Sequence, residues 1–125
     1  MLGWHISVFR QTDGGLLPAV ADTATGKRLA VWQTGPYGLR WLEELIASGR
    51  ATDLDGNGYP NRYTAQAQFL IPIIVAGPLE AHRRWVHEAD DVILPGWEGK
   101  TVIDQATVDE CRPDEWLLVV AWDES

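Results

Sequence analysis

The stretch Trp116-Leu117-Leu118-Val119-Val120-Ala121-Trp122 decides the predicted fold, because every residue in it is apolar. A strand with one face in water alternates between apolar and polar residues, whereas a short unbroken apolar run is typical of a strand buried on both faces. Such a strand belongs in the middle of a sheet. We therefore predict a central strand over residues 116–122.

Two further strands are predicted near the start of the chain. Residues 4–10 are rich in β-branched and aromatic side chains, and the turn-forming residues 12–15 follow them. Residues 28–33 have a similar composition and are the expected hairpin partner of the first strand. We expect the strand at residues 4–10 to share one sheet with the strand at residues 116–122.

The first predicted helix begins near Pro36, since proline favours the first helical position, and ends at Gly49. Its apolar residues have helical spacing and form one face: Leu39, Leu42, Leu45 and Ile46. Glutamates at the intervening positions point outward. This pattern predicts a helix that packs on the sheet through one side.

Shorter elements are predicted in the second half of the chain. Thr64 is predicted to cap a helix over residues 65–71, which Pro72 kinks or ends. Three more elements follow: a helix at 79–88 or a strand at 84–87, a strand at 91–94, and a short helix from Thr107 that has the capping-box spacing to Glu110 and is closed by Pro113.

These elements predict a single α+β domain over residues 1–125. A chain of this length fits one compact domain, and the apolar fraction of 46% and charged fraction of 22% are typical of globular proteins. We expect an antiparallel or mixed sheet that contains the N- and C-terminal strands and packs against two or three helices.

The formal net charge of −8 is concentrated in one part of the chain. Residues 88–125 hold eleven acids against two bases, a net of −9, whereas residues 1–87 carry +1. This charge repels phosphate backbones and anionic lipids and favours basic proteins. We therefore predict a basic protein surface as the partner, with no direct binding of nucleic acid and no membrane association. The sequence leaves the oligomeric state open.

The compartment and the absence of a cofactor are predicted from motifs that the sequence lacks. Cys111 is the only cysteine, so an intramolecular disulfide cannot form, and the first residues show no signal-peptide pattern. The segment 96–101 ends like a phosphate-binding loop, but Leu94 stands where that motif needs its first glycine. We expect a cytoplasmic protein without a cofactor.

One candidate metal site has the spacing of a calcium loop. Asp53, Asp55, Asn57 and Gly58 match positions one, three, five and six of an EF-hand loop, whose oxygens converge on one ion. The twelfth position is Thr64 instead of the bidentate glutamate. The pattern therefore favours an ordinary turn between two helices, with a calcium-stabilised module as the alternative.

The candidate docking residues lie in the acidic C-terminal third. Trp97 is flanked by glycines and by Glu98 in a predicted loop, where a large apolar side chain is typical of a contact surface, although it can also fold back onto the domain. With Asp114 and Glu115 these two residues form the predicted partner-binding surface. We expect a non-enzymatic binding protein, in the manner of immunity-type or anti-defence-type inhibitors.

A small hydrolase is the alternative from another functional class. His87 lies beside Glu88, Asp90 and Asp91, and a histidine with a carboxylate partner can act in acid–base catalysis. A surface histidine in an acidic region explains the same pattern. Cys111 has mostly acidic neighbours, which disfavour a thiolate, so we expect a non-catalytic cysteine.

Overall fold

The computed structural model of the chain describes residues 3–76 and 102–124. The elements that these residues form are, in chain order, β1 (Trp4–Gln11), β2 (Thr25–Thr34), α1 (Arg40–Ala47), β3 (Ala51–Asp53), β4 (Asn61–Gln66), α2 (Ala67–Ala76), β5 (Val102–Ile103), α3 (Gln105–Glu110) and β6 (Trp116–Asp123). The elements predicted at 79–88 and 91–94 lie outside the described residues.

The described strands form one antiparallel sheet in the order β3-β4-β6-β1-β2-β5. The apolar strand β6 lies between β4 and β1, which confirms its predicted central position. The N- and C-terminal strands are direct neighbours, with Trp4 opposite Asp123 and Phe9 opposite Leu118. The α+β class is confirmed, as is the hairpin of β1 with β2.

Alternate residues of the strands point to one face of the sheet. The helices cover this face, and the hydrophobic core lies between the helices and the sheet. From β6 these residues are Leu117, Val119 and Ala121, all of them fully buried. The helices α1 and α2 add buried residues to the same cluster. At its centre Trp32 of β2 meets Trp41 of α1 with ring centroids 5.9 Å apart and planes tilted by 40°.

The opposite face of the sheet is covered only in part. The loop between β1 and β2 crosses it, held where the Ala19 amide donates to Thr64 Oγ1 at 3.1 Å. The same hydroxyl donates to the Leu117 carbonyl at 2.9 Å. Residues 117–119 of β6 are therefore buried on both faces, as predicted, but further along the strand Trp122 is exposed.

The helix predicted over residues 65–71 is wrong at its start. Residues 61–66 form strand β4, and Thr64 lies opposite Leu118 of β6 instead of capping a helix. Pairing with two strands and burial of Tyr63 and Ala65 outweigh the local capping signal. The following helix α2 continues through Pro72 to Ala76, so of the two predicted effects of this proline, a kink or an end, the end is wrong.

The other two helices begin at residues different from those predicted. Residues 36–39 form a turn and α1 begins at Arg40, whereas its predicted end at Gly49 is confirmed by a φ of 77° there. The short helix α3 begins two residues before Thr107, because the Asp104 carboxylate accepts the Thr107 amide at 3.1 Å and is the actual N-cap. In the two described segments, every helix is too short or too polar to cross a membrane.

Candidate functional site

The central strand β6 carries the C-terminal acids to opposite ends of the sheet. Asp114 and Glu115 precede the strand, whereas Asp123 and Glu124 end it or follow it. Eight strand residues at about 3.3 Å each place these two pairs roughly 25 Å apart. The sequence pattern treated them as one acidic region, and the fold divides them.

At the beginning of β6 the acids take part in ion pairs. The Arg10 guanidinium donates to both carboxylate oxygens of Glu115, from Nε at 2.8 Å and from Nη2 at 3.0 Å, and to Glu110 at 3.1 Å. The hydrogen bond that Arg10 donates to Glu115 raises the pKa of Arg10. Glu115 is only 1% exposed. We call Arg10, Glu110 and Glu115 the ion-pair end.

These contacts change the predicted docking residues. Because Glu115 is buried and bound to Arg10, we leave it out of any docking surface. Asp114 is exposed, but Arg112 lies 4.0 Å from its carboxylate, and Lys27 lies 3.7 Å from Glu110. The bases offset the acids around the ion-pair end. Trp97 and Glu98 lie outside the described residues.

The other end of β6 carries both acidic and aromatic residues. The backbone amide of Asp123 donates to the Gly58 carbonyl at 2.8 Å, which fixes the turn of residues 54–60 beside the end of the strand. Trp122 is 45% exposed and Tyr59 is 59% exposed. We call Trp122, Asp123, Glu124 and the turn 54–60 the turn end.

Asp55, Asn57 and Gly58 of the predicted calcium loop lie in this turn, and Asp53 is the last residue of β3 before it. The turn joins two strands and not two helices as expected. Asp53 accepts the Asp55 amide at 2.8 Å, and Asn57 accepts the Tyr59 amide at 3.2 Å. Asp55 has a φ of 70°, a conformation that Asp and Asn tolerate better than most residues. Within residues 3–76 and 102–124, no group of three or more His, Cys, Asp or Glu side chains is placed to hold a metal ion. The side chains of Asp53 and Asn57 shape the turn.

A groove of about 380 Å³ lies on the open face of the sheet next to the turn end. Strand alternation places odd residues of β1 and even residues of β6 on this face, with His5 opposite Trp122 and Ser7 opposite Val120. Arg62 of β4 follows in the same row as Val120. The loop between β1 and β2 closes one side with Asp22.

His5, Ser7 and Asp22 all line the groove. In the part of the chain that the structure describes, no hydrogen bond links these three side chains. A serine nucleophile needs a hydrogen-bonded base, so this geometry does not favour hydrolysis. The alternative with His87, Glu88, Asp90 and Asp91 lies outside the described residues and stays a prediction.

Cys111 lies beside the ion-pair end. Burial, followed by the nearby Glu115 carboxylate, raises the pKa of its thiol to about 11. The thiol donates to the Thr107 carbonyl at 3.4 Å. At neutral pH this group is a protonated thiol and not a nucleophile.

Trp122 is the functional candidate that the sequence reasoning missed. The apolar run suggested that Trp122 is a core residue, but the alternation of side chains along the strand indicates which face Trp122 lies on. If Leu117, Val119 and Ala121 face the helices, Trp122 must face the other way. Comparison with protein-family models, with curated proteins and with solved structures gave no match for this chain, so the site rests on its geometry.

Proposed function

We propose that the protein is a non-enzymatic binding module whose turn end docks on a basic surface of a partner protein. The observation that carries this proposal is the exposed indole of Trp122 near the end of β6, where the chain continues with Asp123 and Glu124. Aromatic anchors supply much of the affinity of protein interfaces, while surrounding charges raise the association rate. The proposal keeps the expected partner and moves the surface away from Asp114 and Glu115.

The position of Trp122 supports a contact role because its backbone is rigid. It lies on a strand that pairs with β1 on one side, and the neighbouring turn is fixed by the hydrogen bond from Asp123 to Gly58. A side chain on an ordered scaffold loses little backbone freedom when it binds. An indole held in this way is a better anchor than one on a mobile loop.

The charges of the turn end support a basic partner. Asp53 and Asp55 lie in or next to the turn 54–60, so their carboxylates add to those of Asp123 and Glu124. The net charge of −8 acts in the same direction over longer distances. A partner with a basic cleft, such as one that holds nucleic acid, fits this surface, and the module would inhibit it by covering the cleft.

Capture from the native host tests the proposal when it is combined with matched variants. The wild-type protein, Trp122→Ser and Leu17→Ser are each immobilised, and the retained proteins are compared by mass spectrometry. Leu17 is the control because it is also an exposed apolar residue, 72% exposed, at the opposite end of the sheet beside Gln11. Folding of each variant is checked by its unfolding curve.

The expected result is one basic protein that wild type and Leu17→Ser retain and Trp122→Ser loses. Trp122→Ser should weaken binding by about 2 kcal/mol or more, the cost typical of an interface hot spot. Equal retention by all three proteins, or loss only with Leu17→Ser, would place the contact surface elsewhere and contradict the proposal.

A further inference from the structure

Arg62 is a half-buried cation in the groove on the open sheet face. Its backbone is fixed, since its carbonyl accepts the Leu54 amide at 2.8 Å and its amide donates to the Asp55 carbonyl at 3.4 Å. Its guanidinium makes no hydrogen bond or ion pair with any residue of segments 3–76 and 102–124. The guanidinium has five N–H donors in a planar fork, so this position can bind an anion.

The groove beside Arg62 has an apolar floor. Phe9, Val120 and Trp122 line it from β1 and β6, and cross-strand neighbours on one face lie about 5 Å apart. An aromatic ring laid on this floor would contact the Trp122 indole while a group at its edge reaches Arg62. The Ser7 hydroxyl lines the same floor and can donate a further hydrogen bond.

From this juxtaposition of a cation with an aromatic floor, we propose that the groove binds a small aromatic carboxylate. The carboxylate would pair with the Arg62 guanidinium, which presents two parallel donors, and the ring would lie against Trp122. The volume of about 380 Å³ is within the range of pockets for small molecules.

The charges around the groove favour a ligand with one negative charge over a ligand with several. Asp22 lines the same groove, and the chain has a formal net charge of −8. Both repel a phosphate more strongly than a carboxylate, because a phosphate carries more charge at neutral pH. This inference goes beyond the proposed docking function, and its test needs no partner protein.

The test is a titration of the isolated ¹⁵N-labelled protein followed by NMR. The probes are benzoate and 1-naphthoate, with benzamide, acetate and inorganic phosphate as comparisons. We expect saturable shifts of the Trp122 indole N–H with the two aromatic carboxylates. Benzamide and acetate each lack one part of the recognised group and should bind at least about tenfold more weakly, as loss of a charge-assisted hydrogen bond or of ring contact implies.

Matched variants assign the carboxylate contact. Arg62→Gln should weaken benzoate binding by about tenfold or more, whereas Arg40→Gln should leave it unchanged. Arg40 is an exposed arginine of α1, outside the groove, and lies over the Tyr37 ring. If Arg62→Gln does not fold, the comparison of benzoate with benzamide on the wild-type protein still decides the question.

Three results would overturn the proposal. The first is the absence of a saturable benzoate shift up to about 10 mM, a weak limit for a small ligand. The second is benzoate binding that is equal for wild type and Arg62→Gln, or equal to that of benzamide. The third is stronger binding of inorganic phosphate than of benzoate.

Discussion

The two ends of strand β6 use the same kinds of residue in opposite ways. At the ion-pair end, Glu115 is buried and both its oxygens accept hydrogen bonds from Arg10. At the turn end, the indole of Trp122 is 45% exposed beside Asp123 and Glu124. Burial and pairing, which composition does not report, distinguish these acids: Glu115 is buried in an ion pair, whereas Glu124 is half-buried and accepts a hydrogen bond from the Gln33 side-chain amide at 3.2 Å.

The largest effect on stability is expected at the ion-pair end. Glu115→Ala leaves the Arg10 guanidinium without its bidentate partner, and breaking a buried ion pair in this way costs about 3–5 kcal/mol. We expect a loss near the lower limit, because Glu110 still contacts Arg10 at 3.1 Å. Urea unfolding measures the change in the free energy of unfolding.

Asp114→Ala is the matched control, since it removes an exposed acid from the adjacent position. Its pair with Arg112 is long at 4.0 Å, and exposed pairs contribute little. The free energy of unfolding should change by less than about 0.5 kcal/mol. Equal losses for Glu115→Ala and Asp114→Ala would show that burial does not distinguish these two acids.

A smaller loss is expected where the loop between β1 and β2 covers the sheet. Thr64→Val removes the hydroxyl that binds both the Ala19 amide and the Leu117 carbonyl, and an unsatisfied buried group costs about 1–3 kcal/mol. Thr52→Val is the control, because Thr52 is exposed and lies opposite Thr64 in the hairpin. Thermal unfolding measures the difference. If Thr64→Val and Thr52→Val both unfold at the wild-type Tm, the hydrogen bonds of Thr64 do not stabilise the fold.

An effect seen only at alkaline pH concerns Cys111, whose pKa is raised from 9.0 to about 11. The native state then holds its proton more tightly than the unfolded state does. The resulting stabilisation is complete below pH 9.0 and is lost as the pH rises through about 11. At pH 8, roughly a hundredfold less thiolate is expected in the native state than in urea-unfolded chains.

Iodoacetamide alkylation of this single thiol, with and without urea, measures the difference. The native rate should be lower by that factor or more, since burial also limits access. Equal rates in the two conditions would mean that Cys111 is exposed and has an ordinary pKa.

Much of the fold follows from sequence patterns that act locally. The apolar run in β6 predicted its central position, and the composition of β1 and β2 predicted their hairpin. Gly49 predicted the end of α1, because a φ of 77° suits glycine. In each case the signal and the structure lie within a few residues of each other.

The errors occurred where distant residues decide the outcome. The last two residues of strand β4 were predicted as the start of a helix, because the pairing of β4 with β6 depends on residues fifty or more positions away. The role of Glu115 depends on Arg10, which is separated from it by 105 positions. The proximity of the turn 54–60 to the end of β6 could not be predicted for the same reason, since the Asp123 amide and the Gly58 carbonyl meet only in the folded chain.

The most direct test of the account compares association rates of two variants with the same charge change. Asp55→Asn with Glu124→Lys adds three positive charge units at the turn end, and Asp109→Asn with Asp114→Lys adds the same near the ion-pair end. Stopped-flow association with the captured partner should slow about tenfold at low salt for the first variant and less than about twofold for the second. Equal slowing of both variants, or slowing of the second alone, would contradict docking at the turn end.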